Sequence, residues 1–332
     1  MAGDVAVAQR EAPAGEVPAE REAPAGEARV NAASAERAGD EARAGAVRDA
    51  RGACATEPHG CEARAADDER SSATARPKVS IRGLRKRFQT REGERVALAG
   101  VDLDIAENEF VCVVGPSGCG KSTLLNAIAG LELPDEGEVL VDGRPVTGPG
   151  PERGVVFQQY ALFPWRTVRQ NVEFALELRG VPASDRRSTS ERFIEAVGLK
   201  DFADAYPKEL SGGMRQRVAI ARAYAANPEV LLMDEPFGAL DAQTRVQLQQ
   251  ELLAMWQRER KTCFFITHDV EEAVALAQRV VVMSARPGRV REVVDVDIPY
   301  PRGPEVRTLP RFLELKTHIW NLVYREFLAE AT

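Results

Sequence analysis

Gly115-Pro116-Ser117-Gly118-Cys119-Gly120-Lys121-Ser122-Thr123 follows the apolar run Phe110-Val-Cys-Val-Val114 and precedes Leu124-Leu-Asn-Ala-Ile-Ala-Gly130. A strand, a glycine loop, Lys-Ser and then a helix is the context in which G-x-x-x-x-G-K-[ST] forms a phosphate cradle. Glycines let the loop curl so that successive backbone N–H groups face one anion. The following helix turns its positive dipole end toward the same point. Lys121 is placed for the β- and γ-phosphates, and the Ser122 hydroxyl for Mg2+. These residues together predict a nucleoside triphosphate site.

Downstream, Pro228-Glu-Val-Leu-Leu-Met233 reads as a short buried strand ending in Asp234-Glu235. A carboxylate at the carboxyl end of a parallel strand beside a phosphate loop can hold Mg2+. Glu235, one residue further in, can polarise an attacking water. Between the two motifs lies Leu210-Ser-Gly-Gly-Met-Arg-Gln-Arg-Val218, in which Ser211-Gly212-Gly213 opens a helix running to about Ala226 and offers free N–H groups at its start. Residues about 165–225 read as a mainly helical insert within alternating short strands and helices.

The amino-terminal part differs in kind. Residues 1–77 contain no aromatic residue, no Leu, no Ile and no Lys, and carry 10 Arg against 15 acidic residues. The hexapeptide Glu-Ala-Pro-Ala-Gly-Glu occurs at 11–16 and again at 22–27. Such a segment buries too little apolar surface to offset the entropy of ordering it, so a disordered Ala/Glu/Arg-rich extension is expected over 1–77. It lacks the n-region and h-region of a signal peptide. Ordinary composition starts near residue 78, and no later run approaches the length of a membrane span. Of the net charge of −7, only −2 belongs to residues 78–332, which gives no footprint for nucleic acid.

Five cysteines make no disulfide framework. Cys112 and Cys263 fall in predicted buried strands. Cys54 and Cys61 flank His59, short of the four ligands of a structural zinc site. Cys119, beside a helix N-terminus and two residues before Lys121, is expected to have thiolate character and to react readily. The alternative is a small residue facing the core side of the loop.

The phosphate loop, Leu210-Ser-Gly-Gly and Asp234-Glu235 together resemble the ATP-binding cassette ATPases, over roughly residues 78–300 and in family order. The resemblance implies an α/β fold, a P-loop NTPase cassette with a RecA-like sheet lobe and a helical lobe, spanning 78–305 behind the disordered tail. It implies that Ser211, Gly212, Gly213 and Gln216 meet ATP held on a partner cassette, so that a homodimer or paired cassette is the catalytic unit. Gly154-Val-Val-Phe-Gln158 looks like the family's Q-loop, with Gln158 chosen over Gln159. Gly238-Ala-Leu-Asp241 is similar to the D-loop, and His268, after Thr262-Cys-Phe-Phe-Ile-Thr267, stands where the switch histidine contacts the γ-phosphate. Phe88 is the candidate for the adenine stack, where the family favours Tyr; a phenyl face suffices. The expected catalytic set is Glu235, His268, Lys121 and Gln158. The nucleotide set is Phe88 with Gly115, Pro116, Ser117, Gly118, Cys119, Gly120, Lys121, Ser122 and Thr123; Mg2+ falls to Ser122, Gln158 and Asp234.

The load is expected elsewhere. Tyr160-Ala-Leu-Phe-Pro-Trp165 is unusually apolar for a loop, and in importers this region, residues 158–165, receives the transmembrane permease subunit. Leu-Phe-Pro-Trp-Arg together with Met283-Ser-Ala-Arg-Pro-Gly288-Arg-Val290 is similar to cassettes of nitrate, sulfonate and taurine importers. The expectation is therefore an ATPase peripheral to the cytoplasmic side of the inner membrane, linked indirectly to a substrate-binding protein. The alternatives are a soluble cassette acting on nucleic acid or translation, and an export ATPase. Phe312, Leu315, Ile319, Leu322 and Val323 predict one amphipathic helix within 306–332, packed on the cassette.

Overall fold

The structure, a computed structural model, describes residues 76–91 and 93–331. The expected disorder of the extension, and the Cys54–His59–Cys61 cluster, lie outside the described residues.

Val79–Thr90 (β1) and Gly93–Ile105 (β2) form an antiparallel hairpin. Glu136–Val141 (β4) pairs with the other edge of β1 and carries Arg144–Pro145 (β5), giving a four-stranded sheet in the order β2-β1-β4-β5. The inner half of β1 buries Val79, Ile81 and Leu84, whereas Arg85 and Arg87 in its outer half stay exposed. The register slips between Ile81 and Leu84, where Gly83 takes a positive φ of 56° and makes a bulge.

The second sheet holds six strands in the order β10-β9-β3-β8-β7-β6. Phe110–Val114 (β3), Arg153–Val156 (β6), Val230–Asp234 (β7), Thr262–Ile266 (β8) and Arg279–Met283 (β9) run parallel; Val290–Asp295 (β10) is antiparallel on β9. β3 and β8 are buried at every position, as continuous apolar runs require when helices cover both faces. Their alternation separates two cores. Phe110, Cys112 and Val114 pack with Trp256 and Phe265, while Val111 and Val113 pack with Leu124, Ile128 and Ile81.

Lys121–Ala129 (α1) follows β3. Val168–Leu178 (α2), Ala183–Ala196 (α3) and Gly212–Ala225 (α4) pack on one another as the helical lobe inserted between β6 and β7. Thr167 and Gln170 close a reciprocal capping box at the start of α2. Ala242–Glu259 (α5) and Val270–Leu276 (α6) alternate with the remaining strands. The predicted carboxy-terminal helix is Pro310–Ala331 (α7), entered through a 3-10 turn at Pro304–Thr308. Its Phe312, Leu315 and Ile319 are buried in the main core, with Leu322 and Val323 packed at the margin. The chain thus has the predicted α/β cassette architecture, a sheet lobe and a helical lobe.

The parallel strands all point their carboxyl ends one way. Four loops, after β3, β6, β7 and β8, therefore emerge at one edge, where α/β sheets bind ligands.

Candidate nucleotide site

The loop after β3 curls through Gly118 (φ 73°) and Gly120 (φ 99°) before α1 begins. A Cβ at Gly120 would lie 2.7 Å from Leu98 Cδ2 and 2.9 Å from the Ala97 carbonyl oxygen, so β2 presses on the loop there and only glycine fits. Lys121 is 7% exposed; its Nζ donates to the carbonyls of Gly115 and Pro116, both at 2.9 Å. The ammonium thus ties the start of the loop to its end and lies at the floor of a cavity. That cavity is lined by Gly115, Ser117, Gly118, Gly120, Lys121, Ser122 and Thr123, with Phe88 and Thr90 on one wall and Glu235 and His268 on another.

Three strand ends converge on one carboxylate. Glu235 Oε2 accepts from Gln158 Nε2 at 3.4 Å and lies 3.3 Å from His268 Nδ1. Gln158, and not Gln159, makes this contact. Glu235 sits at φ 44°, the left-handed region that side chains other than glycine rarely occupy. Its N–H donates to Ile266 O at 3.0 Å, and its carbonyl accepts from Gly238 N at 3.2 Å. Asp269, next to His268, caps α6 by accepting from the N–H groups of Glu271 (2.8 Å) and Glu272 (3.3 Å).

Ser122 Oγ donates to Asp234 Oδ1 at 3.2 Å. Burial pushes the Asp234 carboxyl above its ordinary range; the Ser122 hydrogen bond and Lys121 oppose this, and the Glu235 charge adds to it. A hydroxyl and a desolvated carboxylate next to a second carboxylate form a hard-oxygen set that a divalent cation would relieve, so these residues fit Mg2+.

Phe88 is half-buried, pairs across the hairpin with Arg95, and lies 5.5 Å from Lys86 Nζ by ring centroid. Its ring lines the same cavity. Arg95, Val96, Ala97, Thr90 and Arg286 also line it and were not singled out from sequence. The hairpin register places Arg95 opposite Phe88, and Arg286 arrives from the β9–β10 turn, with no local signal in the sequence to mark it.

Two expectations need correction. Cys119 is fully buried, packed with Leu98, Leu124 and Met283. Burial pushes its thiol up, against the opposing charge of Lys121, so the predicted reactive thiolate is replaced by a small apolar filler on the core side of the loop. Gln216 is fully buried as well, unlike the exposed Ser211, because it shares the inward face of α4 with Ile220 and Ala223. Neither polar atom of its amide has a hydrogen-bond partner among the described residues.

Ser211, Gly212, Gly213 and Asp241 do not line the cavity of their own chain. Ser211 caps α4, its Oγ accepting from Met214 N at 3.3 Å. Asp241 caps α5 by accepting from Thr244 N at 3.0 Å, which holds its carboxyl below the usual carboxylate range. A Cβ on Gly213 would stand 2.8 Å from Thr244 Cγ2, so the two helix starts are adjacent.

The sequence profile of the ABC transporter family matches residues 98–238. An ABC transporter ATP-binding protein of Methanocaldococcus jannaschii is 56% identical over 251 residues, covering 76% of this chain and 93% of the relative. The nitrate import ATP-binding protein of a Synechocystis species is 54% identical over 251 residues, covering 74% and 94%. The chain belongs to the ABC transporter family of ATP-binding proteins. The dimeric structure of a bacterial ABC transporter cassette shares 35% identity with it at a TM-score of 0.59, over 67% of this chain and all of that one. As an ABC ATPase it carries its phosphate loop, Gln158, Asp234, Glu235 and His268 at one sheet edge. Among its described residues no helix is long and apolar enough to cross a membrane.

Proposed function

We propose that this ABC ATPase is the energising subunit of a membrane importer for a small anion, of the nitrate, sulfonate or taurine class, and acts as a dimer. The observation that carries the hydrolytic part is the meeting of Gln158, Glu235 and His268 at one carboxylate oxygen beside the phosphate loop.

Each ATP lies between one chain's phosphate loop and the partner's Ser211-Gly212-Gly213, which begins α4, where the first N–H groups have no partner within the helix. Phe88 stacks on the base, and the N–H groups of residues 117–123 surround the phosphates. Lys121 and His268 bear on the developing charge of the γ-phosphoryl group. Glu235 orients the attacking water and draws its proton, with Gln158 and His268 fixing the carboxylate. Ser122, Asp234 and Gln158 would hold Mg2+, which would supply charge neutralisation to the bound phosphates.

The coupling surface is residues 158–165. Asn171, fully buried, holds this loop on α2: its amide donates to the carbonyls of Phe163, Arg166 and Thr167, and its oxygen accepts from Phe163 N at 2.9 Å. Arg222 of α4 donates to the carbonyls of Ala161 and Tyr160. Trp165 nevertheless remains 71% exposed, an aromatic anchor on a braced loop that suits a permease helix at the cytoplasmic membrane face. The 54% identity to a nitrate import protein supports the anion class.

The test is Glu235→Gln with Mg·ATP at high protein concentration on a sizing column. The expected result is twice the mass of the nucleotide-free protein. A variant that binds ATP and stays monomeric would refute the sandwich. Uptake of labelled nitrate and taurine by cells with and without the chain then assigns the cargo.

A further inference from the structure

The turn between β9 and β10, residues 284–289, is seated on the phosphate loop although it lies more than a hundred residues away in sequence. Gly288 N donates to Ala97 O at 2.9 Å, and Gly288 O accepts from Ala99 N at 3.0 Å, bridging the turn to β2 at Leu98. A Cβ on Gly288 would come within 2.0 Å of the Cys119 carbonyl oxygen, so turn and loop touch backbone to backbone. From this seat Arg286 Nε donates to the Gly118 carbonyl at 2.9 Å. Its guanidinium lies across Gly118, where a Cβ would stand 1.9 Å from Nη2.

We propose that Arg286 is a nucleotide-binding residue, contacting the ribose and α-phosphate portion of the bound nucleotide and setting affinity without entering the chemistry. The proposal rests on the assignment of the cavity as the ATP site. Arg286 lines that cavity together with Phe88 and Lys121. With Thr90, Arg95, Val96 and Pro287 it also borders a second depression, which includes neither Glu235 nor His268. Arg286 therefore borders the β1–β2 hairpin side of the cavity, where Phe88 faces Arg95. A planar guanidinium with one N–H fixed on a carbonyl is preorganised for a phosphate oxygen. Contact with a part of the nucleotide that does not change during hydrolysis binds ground state and transition state alike. It lowers KM and leaves kcat alone.

The experiment titrates the full-length protein with fluorescent mant-ATP and mant-ADP. Arg286→Ala should raise Kd for both nucleotides by the same factor, roughly tenfold. Turnover at saturating ATP should stay within about twofold of the unsubstituted protein. Arg286→Lys, which keeps the charge and loses the fork, should raise Kd severalfold and guards against a folding defect in the alanine variant. Arg289→Ala removes the same charge from the same turn and should bind as the unsubstituted protein does. An unchanged Kd in Arg286→Ala or Arg286→Lys overturns the proposal. A loss confined to mant-ATP, or an equal loss in Arg289→Ala, overturns it too. Failure of the unsubstituted protein to bind mant-ATP would instead defeat the ATP-site assignment on which the proposal stands.

Discussion

Two substitutions at Glu235 separate chemistry from backbone strain. Glu235→Gln keeps the Cβ and the side-chain shape, and changes only the charge that meets Gln158 Nε2 and His268 Nδ1. Glu235→Gly removes the side chain and with it the cost of holding φ at 44°. Loss of a positioned general base lowers turnover by about 10²–10⁴, so both variants should fall by that factor. A left-handed conformation at a residue with a Cβ costs roughly 1–2 kcal/mol. The greater freedom of glycine in the unfolded chain takes back about 0.5–1 kcal/mol. The net gain for Glu235→Gly is then on the order of 0.5–1 kcal/mol, or about 1–4 °C in Tm for a domain of this size. Steady-state ATPase assays and scanning calorimetry under one buffer measure both quantities. Glu235→Gln with turnover within threefold of the parent would refute the catalytic role, as an order-of-magnitude criterion. Glu235→Gly melting at or below Glu235→Gln would refute stored strain at the site.

Other outcomes follow from burial and pairing. Maleimide at neutral pH should leave Cys119 unmodified in the folded protein and label it after denaturation, as read by peptide mapping, because the thiol is enclosed and pushed up by burial. Phe312→Ala should cost about 3–5 kcal/mol by denaturant unfolding, since the ring anchors α7 with no exposure. Gln216→Met should raise stability by about 1–3 kcal/mol, because an unpaired buried amide is replaced by an apolar chain of similar length. Lys78 donates to Asp142 at 2.7 Å, and this hydrogen bond holds the Asp142 carboxyl below its usual value. Stability from that pair is present above the unfolded value of about 3.9 and is lost as pH falls through the lower folded value. The deficit of Asp142→Asn should therefore be full at pH 6, begin to shrink as the pH drops below about 4, and disappear only below the lower folded value, in urea titrations at each pH.

Whatever depends on near neighbours along the chain was legible in the sequence. Phe110–Val114 is a strand because five apolar residues in a row suit a strand covered on both faces. The glycine loop and Lys121-Ser122 announce a phosphate cradle because loop, lysine and helix start lie within ten residues. Ser211 and Asp241 open their helices as hydroxyl and carboxylate caps do anywhere. Tertiary structure alone decided which side chains face inward and which distant segments touch. The pitch of a helix leaves open which face meets the core, so Gln216 lies inside where the family resemblance implied a contact with a partner, and the curl of the phosphate loop turns Cys119 to the core side, the alternative to a reactive thiolate. The left-handed turn at Glu235 arises because its N–H is held by Ile266 on the neighbouring strand, a partner 31 positions away. Arg286 reaches Gly118 only because β9 lies beside β3 in the sheet and hands its following turn to the phosphate loop, 168 residues back along the chain.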